Sequence, residues 1–543
     1  MKKKLTTVIS LWMFMVMAVV GCTSNSVDNT NADDSNSNQS VKQETEQKED
    51  NFNKTGYPIV NEKVTLKVLG TVQEGSSEIN PILYQDLEEK TNVHIEWEAV
   101  IEDAWKEKKG LLFASGDLPD IFIGAGVLSN SDVLKYGTQG LLVPMEGLID
   151  EYGLNLTKVF EEHPQVKLAS IAPDGHIYGG PSFDRGFPIT TSAPLYMNKE
   201  WLDTLNLEVP TTTEEFYHVL KAFKENDPNG NDKSDEIPLT FNNNNISDLF
   251  GSFGVVDDHK THIAVNDGKV VYTAVLSEYK EAITYFNRLF QEGLIDPEAF
   301  TQDGSVLKGK TKGEERIIGA FQSWRSTGWR RSEEDNDYVA ISPLAGPNGD
   351  QLWPLMGSKV ARGGGVITSQ CEVPEIAMRW IDALYEPDFA VQASLQYYIG
   401  VHMEKNDDDT LSITKIPERG NKEDDKYFPW NGHRVFVMTK SNGDRFIDKP
   451  AHIIEKQELD QLYNAYYPEE TYPDVFFTLE ENERISQLSA DINTYANENY
   501  ARWMMEGGID EEWDDYVEKL YDMGLDEYIK IYQSALDRYN SSK

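Results

Sequence analysis

"VTLKVLG", residues 64–70, alternates apolar and polar side chains and stops at a glycine. "VHIEWEAV" (93–100) alternates in the same way, and "DIFIGAG" (120–126) is an apolar run closed by glycines. Alternation of period two places successive side chains on opposite faces of a pleated strand, so three short strands are predicted. The intervening segments decide the class. "INPILYQDLEEKT" (79–91) and "DAWKEKKGLLFASGD" (103–117) carry apolar residues at helical spacing, the second stopping at Gly116. Strand, helix, strand, helix, strand is the order of an α/β lobe, because parallel strands need a helical crossover between them.

A chain of 543 residues is too long for one core, so two or more domains are expected. With 11 Trp, 26 Tyr and 22 Phe, most of it has the means to fold. The formal net charge of -42 repels a phosphate backbone, and no basic stripe offsets it, which excludes nucleic acid as a partner.

At the N-terminus, three lysines precede an apolar run from Val8 to Val20, followed by Gly21 and Cys22. That run is too short for an ordinary membrane span and has the layout of a secretory signal, residues 1–21. "VVGC" (19–22) resembles a lipobox, which implies a lipidated Cys22. From Thr23 to about Phe52 the chain is Ser, Asn, Asp, Gln and Glu with almost no large apolar residue, so residues 22–56 are expected to form a disordered tether. A lipidated Cys22 leaves Cys371 as the remaining thiol, with no internal disulfide, CxxC pair or zinc spacing.

Beyond the first lobe, "GHIYGGP" (175–181) and "APLYMNKEWL" (193–202) suggest extended segments. Thr212 with Glu215 has capping-box spacing, and Phe216, Val219, Leu220 and Phe223 follow at i, i+3, i+4 and i+7, so a helix begins there. Helices are also predicted over 281–291, 375–384 and 485–505. The acidic tail from Asp510 divides into two at Gly524. The only close histidine pair, His259 and His262, is assigned to the surface of a hairpin.

The capped helix runs into "DPNGNDKSDE" (227–236). Counting from Asp227, the oxygens of Asn229, Asn231, the Lys233 carbonyl and Asp235 fall at positions three, five, seven and nine of a calcium loop. The EF-hand pattern is broken at position six, where Asp232 replaces glycine, and at position twelve, Pro238; Glu236 could supply the closing carboxylate. A solvated Asx-rich turn is the alternative. Two features favour an ion: the carboxylates repel one another unless neutralised, and the extended "EIPLTF" requires a fixed exit.

The lipobox, "ASGDLPDIF" (114–122), "YGTQGLLVPMEGLID" (136–150), "GHIYGGP", the block from Pro194 to Leu239 and "EEWDDYVEKL" in the tail carry a family resemblance. Together they resemble the extracellular solute-binding lipoproteins of carbohydrate ABC importers, in the long oligosaccharide-binding branch with alginate-binding members. The resemblance implies an α/β, two-lobed periplasmic-binding-protein-like fold of type II, with hinge crossovers and extra C-terminal helices. It implies lobe 1 over 57–185 and 361–440, and lobe 2 over 186–360 and 441–543. It further implies a structural Ca2+ on Asp227, Asn229, Asn231, Lys233, Asp235 and Glu236, away from the sugar. A monomer at the outer face of the cytoplasmic membrane would hand an oligosaccharide to importer permease subunits.

Sugar sites need flat aromatic faces and planar polar groups. Aromatics beside glycine or charge are the candidates: Trp324, Arg325, Trp329 and Arg330 in "FQSWRSTGWRR", Asp184 and Arg185 in "SFDRGF", and Trp353 in "QLWP". Tyr398 and His402 in "QYYIGVH", and Trp430 and Arg434 in "YFPWNGHR", join them. Glu74, just past the first strand, is placed to accept a sugar hydroxyl. No hydrolase or nucleotide motif is present. A glycoside hydrolase using two opposed carboxylates, or a glycan adhesin, are the competing functions.

Overall fold

Four strands make the first sheet, in the order 365–367, 121–123, 64–72, 93–101. Val64–Val72 runs parallel to Val93–Ile101 along its whole length, Val64 opposite Val93 and Val72 opposite Ile101. It is also parallel to Ile121–Ile123, and Gly365–Ile367 closes the edge antiparallel. Helix Ile82–Thr91 ends at Asn92, whose φ of 59° is left-handed, and helix Glu102–Ser115 ends at Gly116 with φ 75°. Both use a residue that tolerates the left-handed region to stop the helix and turn into the next strand. The computed structural model describes residues 51–72, 80–124, 126–186, 191–242, 245–324, 329–332, 335–356, 359–418, 421–428 and 434–541. Cys22, Glu74, Arg325 and Trp430 lie outside them. The chain divides after Phe52, and Asn53–Lys543 packs as a unit of its own.

The second sheet is mixed, in the order 338–340, 195–198, 318–322, 237–240. Leu195–Asn198 is antiparallel to both neighbours, whereas Ile237–Thr240 runs parallel to Ile318–Gln322. Helix Thr213–Glu225 feeds this sheet. Its capping box is complete: Thr212 Oγ1 accepts from Glu215 N at 3.1 Å, and Glu215 Oε2 accepts from Thr212 N at 3.2 Å. Phe216, Leu220 and Phe223 on its apolar face are buried in the second core, each burial contributing about 1.5–3 kcal/mol. Ser277–Gln291 packs there too, with the C-terminal helices Leu479–Glu506, Ile509–Asp522 and Leu525–Ser541, and Trp503 meets Tyr516 edge-on at 4.7 Å.

The crossings between the sheets run side by side. Ser182 bridges Ala361, Thr191 bridges Leu355, and Phe183–Asp184 pairs in parallel with Val437–Met438. Backbones touch here: a Cβ on Gly443 would lie 2.0 Å from the Gly186 carbonyl oxygen.

"GHIYGGP" forms no helix and lines a sheet edge, where the Ile177 carbonyl accepts from Met145 N at 2.7 Å and Gly180 N donates to Gly365 O at 2.9 Å. The surface assignment of His262 is corrected. His262 does lead into the hairpin Ile263–Asn266/Lys269–Tyr272, but its ring is 0% exposed and sits 2.8 Å from Asp257. The polar spelling of that stretch conceals a buried pair that ties the hairpin to the C-terminal helices through Asn497, 3.2 Å from His262 Nε2.

Candidate functional site

Ligands of open α/β sheets bind beyond the carboxyl ends of the strands. In the second sheet that edge carries Gln322, Ser323 and Trp324 after one strand, and Phe241 with the 3-10 segment Asn245–Phe253 after its parallel neighbour. Thr191 and Ser192 arrive at the same edge because Leu195–Asn198 runs the other way. Helix Ala451–Tyr463 lies across it: the Tyr463 hydroxyl accepts from Leu195 N at 3.2 Å and donates to Ile341 O at 2.6 Å.

Polar side chains converge here. Asp248 Oδ2 accepts from Ser192 Oγ at 3.2 Å and from Gln322 Nε2 at 3.4 Å, and Gln322 Oε1 is buried with no hydrogen-bond partner. Asp248 is partly exposed but densely surrounded, and desolvation pushes its carboxyl up to about 7, against the stabilising Ser192 hydroxyl. Asp460 Oδ1 accepts from Thr191 N at 2.7 Å, from the Thr191 hydroxyl, and from the Tyr467 hydroxyl at 3.2 Å. Trp324, 41% exposed, is tied to this group by Lys456, whose ammonium bonds the carbonyls of Thr191, Ser192 and Trp324. A flat indole beside carboxylate, amide and hydroxyl groups can hold a sugar ring by its apolar face and its hydroxyls.

The other aromatic candidates separate. Trp329 is 2% exposed, its indole enclosed by Tyr196, Phe321 and Tyr338 at 5.0–5.8 Å, so it packs the sheet and presents no face. Trp353 is 1% exposed, edge-on to Tyr463, and donates to Ser192 Oγ at 3.1 Å; it supports the site from below. His402 is 0% exposed and bonded to Asp424 at 3.0 Å, which makes it a core residue of the first lobe. Arg330 is half-buried, 5.9 Å from the Trp329 ring centre. Asp184 and Arg185 occupy the crossings, Arg185 N donating to Met438 O at 2.6 Å.

Tyr398 donates to Asp86 and lies against Tyr427 at 4.6 Å. Arg434 sits 5.5 Å from the Phe436 ring centre. Ile82 N and Leu83 N bond to the Lys426 and Tyr427 carbonyls at 2.9 and 3.3 Å. The chain flanking Glu74 therefore meets the chain flanking Trp430, at the carboxyl end of Val64–Val72.

The acidic loop lies at the opposite end of the second sheet, before Ile237–Thr240 begins. Asn229 Nδ2 and Asn231 Nδ2 each donate to Asp235 Oδ1 at 3.2 Å, and Asp227 accepts from Asn231 N and Asp232 N at 3.1 and 2.8 Å. Glu236 Oε1 is buried with no hydrogen-bond partner, and desolvation followed by the fields of Asp235 and Asp227 pushes this carboxyl up. Among the described residues no three acidic, His or Cys side chains close on one point; here amides stand between the carboxylates. The donor set nevertheless fits a hard cation, since every member offers oxygen and the orphaned Glu236 Oε1 lacks a counter-charge. A strand of five residues spans about 16 Å, so the loop and Trp324 lie at opposite ends of the sheet.

Residues 70–390 match the family model of the bacterial extracellular solute-binding proteins. The chain belongs to that family. This solute-binding protein is 34% identical over 512 residues, 89% of its own length and 92% of the relative's, to the fructooligosaccharide ABC transporter substrate-binding protein FusA of Streptococcus pneumoniae. Its fold superposes on FusA in complex with kestose with a TM-score of 0.76, at 32% identity, covering 88% of this chain and all of that one. An EF-hand mutant of FusA in complex with fructo-nystose gives 0.75 over the same coverage. The alginate-binding protein AlgQ2, 22% identical, shares the fold with a TM-score of 0.66, over 89% of this chain and 100% of that one. Lipoprotein LipO of Bacillus subtilis is 26% identical over 311 residues, 54% of this chain and 59% of that relative. The solute-binding protein is thus two-lobed α/β and a binder rather than an enzyme. Among its described residues no helix is long and apolar enough to cross a membrane.

Sequence reasoning missed Ser192, Asp248, Gln322, Lys456 and Asp460. They arrive from four separate segments, and the one local signal is the run "FNNNNISD" (241–248) directly after a strand.

Proposed function

We propose that this protein captures a short fructooligosaccharide between its lobes and delivers it to the permease subunits of an ABC importer. The observation that carries this reading is the carboxyl edge of the second sheet, where Asp248, Gln322 and Ser192 converge and Lys456 joins the Ser192 carbonyl to exposed Trp324. The 34% identity to FusA along nearly the whole chain supports the choice of fructan over other glycans. Trp324 supplies the stacking face, and Arg325 and Arg330, which follow it in sequence, are assigned to sugar hydroxyls. Glu74, Tyr398, Trp430 and Arg434 contribute from the first lobe, and Asp184 and Arg185 from the crossings.

The lobes are taken as 57–185 with 361–440, and 186–360 with 441–543. Leu411 N bonds to Arg445 O at 2.8 Å, which supports moving the last crossing a few residues later. A lipid on Cys22 would hold the monomer at the outer face of the cytoplasmic membrane through the 22–56 tether. Asp227, Asn229, Asn231, the Lys233 carbonyl, Asp235 and Glu236 would hold Ca2+, whose charge locks the turn from helix to strand and takes no part in sugar contact.

Calorimetric titration with kestose and nystose tests the reading, with solution scattering for compaction and chromatography for products. Binding with compaction and intact sugar is expected. Absence of binding to either sugar overturns the ligand assignment, and released fructose overturns the non-catalytic role.

A further inference from the structure

Lys456 is 1% exposed and sits mid-helix at the sugar edge. Its ammonium donates to the carbonyls of Thr191 at 2.8 Å, Ser192 at 3.0 Å and Trp324 at 3.1 Å. An ammonium has three N–H groups, so all are spent on main-chain oxygens. These carbonyls come from two segments: the end of the first crossing, and the loop after Ile318–Gln322. The same nitrogen lies 3.9 Å from the centre of the Trp324 ring, the distance of a cation–π contact. One indole face is therefore closed by a charge that is itself pinned at three points, while Trp324 as a whole stays 41% exposed.

We propose that Lys456 is the positioning residue of the sugar site, holding the Trp324 indole with one face capped so that a single face receives a sugar ring. This rests on the reading of Trp324 as the stacking platform. An indole on an exposed loop otherwise samples several rotamers, and fixing it beforehand removes that ordering cost from binding. The ammonium also ties the crossing at Thr191 and Ser192 to the platform, so a movement of the crossing reaches the ring through one atom.

Charge on Lys456 is what holds the three carbonyls. Burial lowers its ammonium to about 8, against the opposing fields of Asp460 and Glu455 on the same helix. On the packed elements, Asp248 bonds the Ser192 hydroxyl, Tyr467 bonds Asp460, and Tyr196, within the field of Arg330, bonds Glu455. The charged form dominates below about pH 8 and is lost above it, so the platform loosens as pH rises.

The test is a double-mutant cycle on kestose affinity with Lys456→Met and Trp324→Leu, measured at pH 7 and pH 9. Trp324→Leu is expected to weaken binding about tenfold, and Lys456→Met several-fold. The double variant should be no weaker than Trp324→Leu alone, because Lys456 acts through the ring. Wild-type affinity should fall further between pH 7 and pH 9 than that of Lys456→Met, in which only the ionisation of Asp248, raised to about 7, remains in that window. A merely structural lysine would lower thermal stability yet give multiplying effects in the double variant, which overturns the proposal.

Acrylamide quenching of Trp324 fluorescence, isolated as the difference from Trp324→Phe, needs no sugar. Quenching should rise in Lys456→Met, and in wild type at pH 9. Unchanged quenching overturns the proposal even if the protein binds another glycan, whereas increased quenching with no kestose binding sinks only the fructan assignment.

Discussion

Removing calcium from the 227–236 loop should lower the melting temperature by an amount the structure allows to be worked out. A ligand that binds only the folded state at about 100 times its Kd adds about 2.7 kcal/mol. Unfolding entropy is about 2.1 cal/mol/K per residue, so a body of ~490 residues melting as one unit has about 1 kcal/mol/K. The shift is then about 3 °C, and nearer 5 °C if the second lobe melts alone. Differential scanning calorimetry in chelator and in added calcium reads it. Asp227→Ala should abolish the difference. Asp232→Gly should keep it, because Asp232 lies outside the ligand set and glycine suits its φ of 58°. Identical wild-type melting in both buffers would refute the metal reading and leave Glu236 Oε1 to be satisfied by water.

Thr212→Ala removes the Oγ1 acceptor of Glu215 N and should cost about 1 kcal/mol in urea unfolding of the second lobe. Gly443→Ala drives a methyl into the Gly186 carbonyl and should destabilise by about 1–3 kcal/mol, with altered compaction on ligand addition in scattering. The Glu418 N–H, then Lys415 and His402, hold the Asp424 carboxyl well below the usual range. A lowered carboxylate contributes stability above its unfolded value near 3.9, lost as pH falls through the folded one. Melting temperature should therefore drop more steeply below about pH 4 in wild type than in Asp424→Asn.

Local patterns were legible, and long-range convergence was not. The alternation at 64–70 and 93–100 and the Thr212–Glu215 box are complete within a few residues, so both survive in the fold. The second sheet draws its strands from four places across 195–340, and nothing in "LYMN" or "YVA" names its neighbour. The turn-like stretches around Trp329, Trp353 and His402 say nothing of burial; Trp324, followed by arginine just as Trp329 is, ends outside the core. Lys456 sits in "IIEKQELDQLY", where a lysine among acids has the look of a solvated helix face. Only the arrival of three carbonyls from 191, 192 and 324 makes it a buried staple.

The first sheet takes its edge strand, Gly365–Ile367, from beyond the whole second sheet, and the second core takes Trp503, Tyr516 and Leu536 from the end of the chain. The first sheet therefore waits for 365–367 and the second core for the final helices, so neither closes within one contiguous stretch. An excised segment such as 57–185 would, for the same reason, expose an unpaired strand and aggregate.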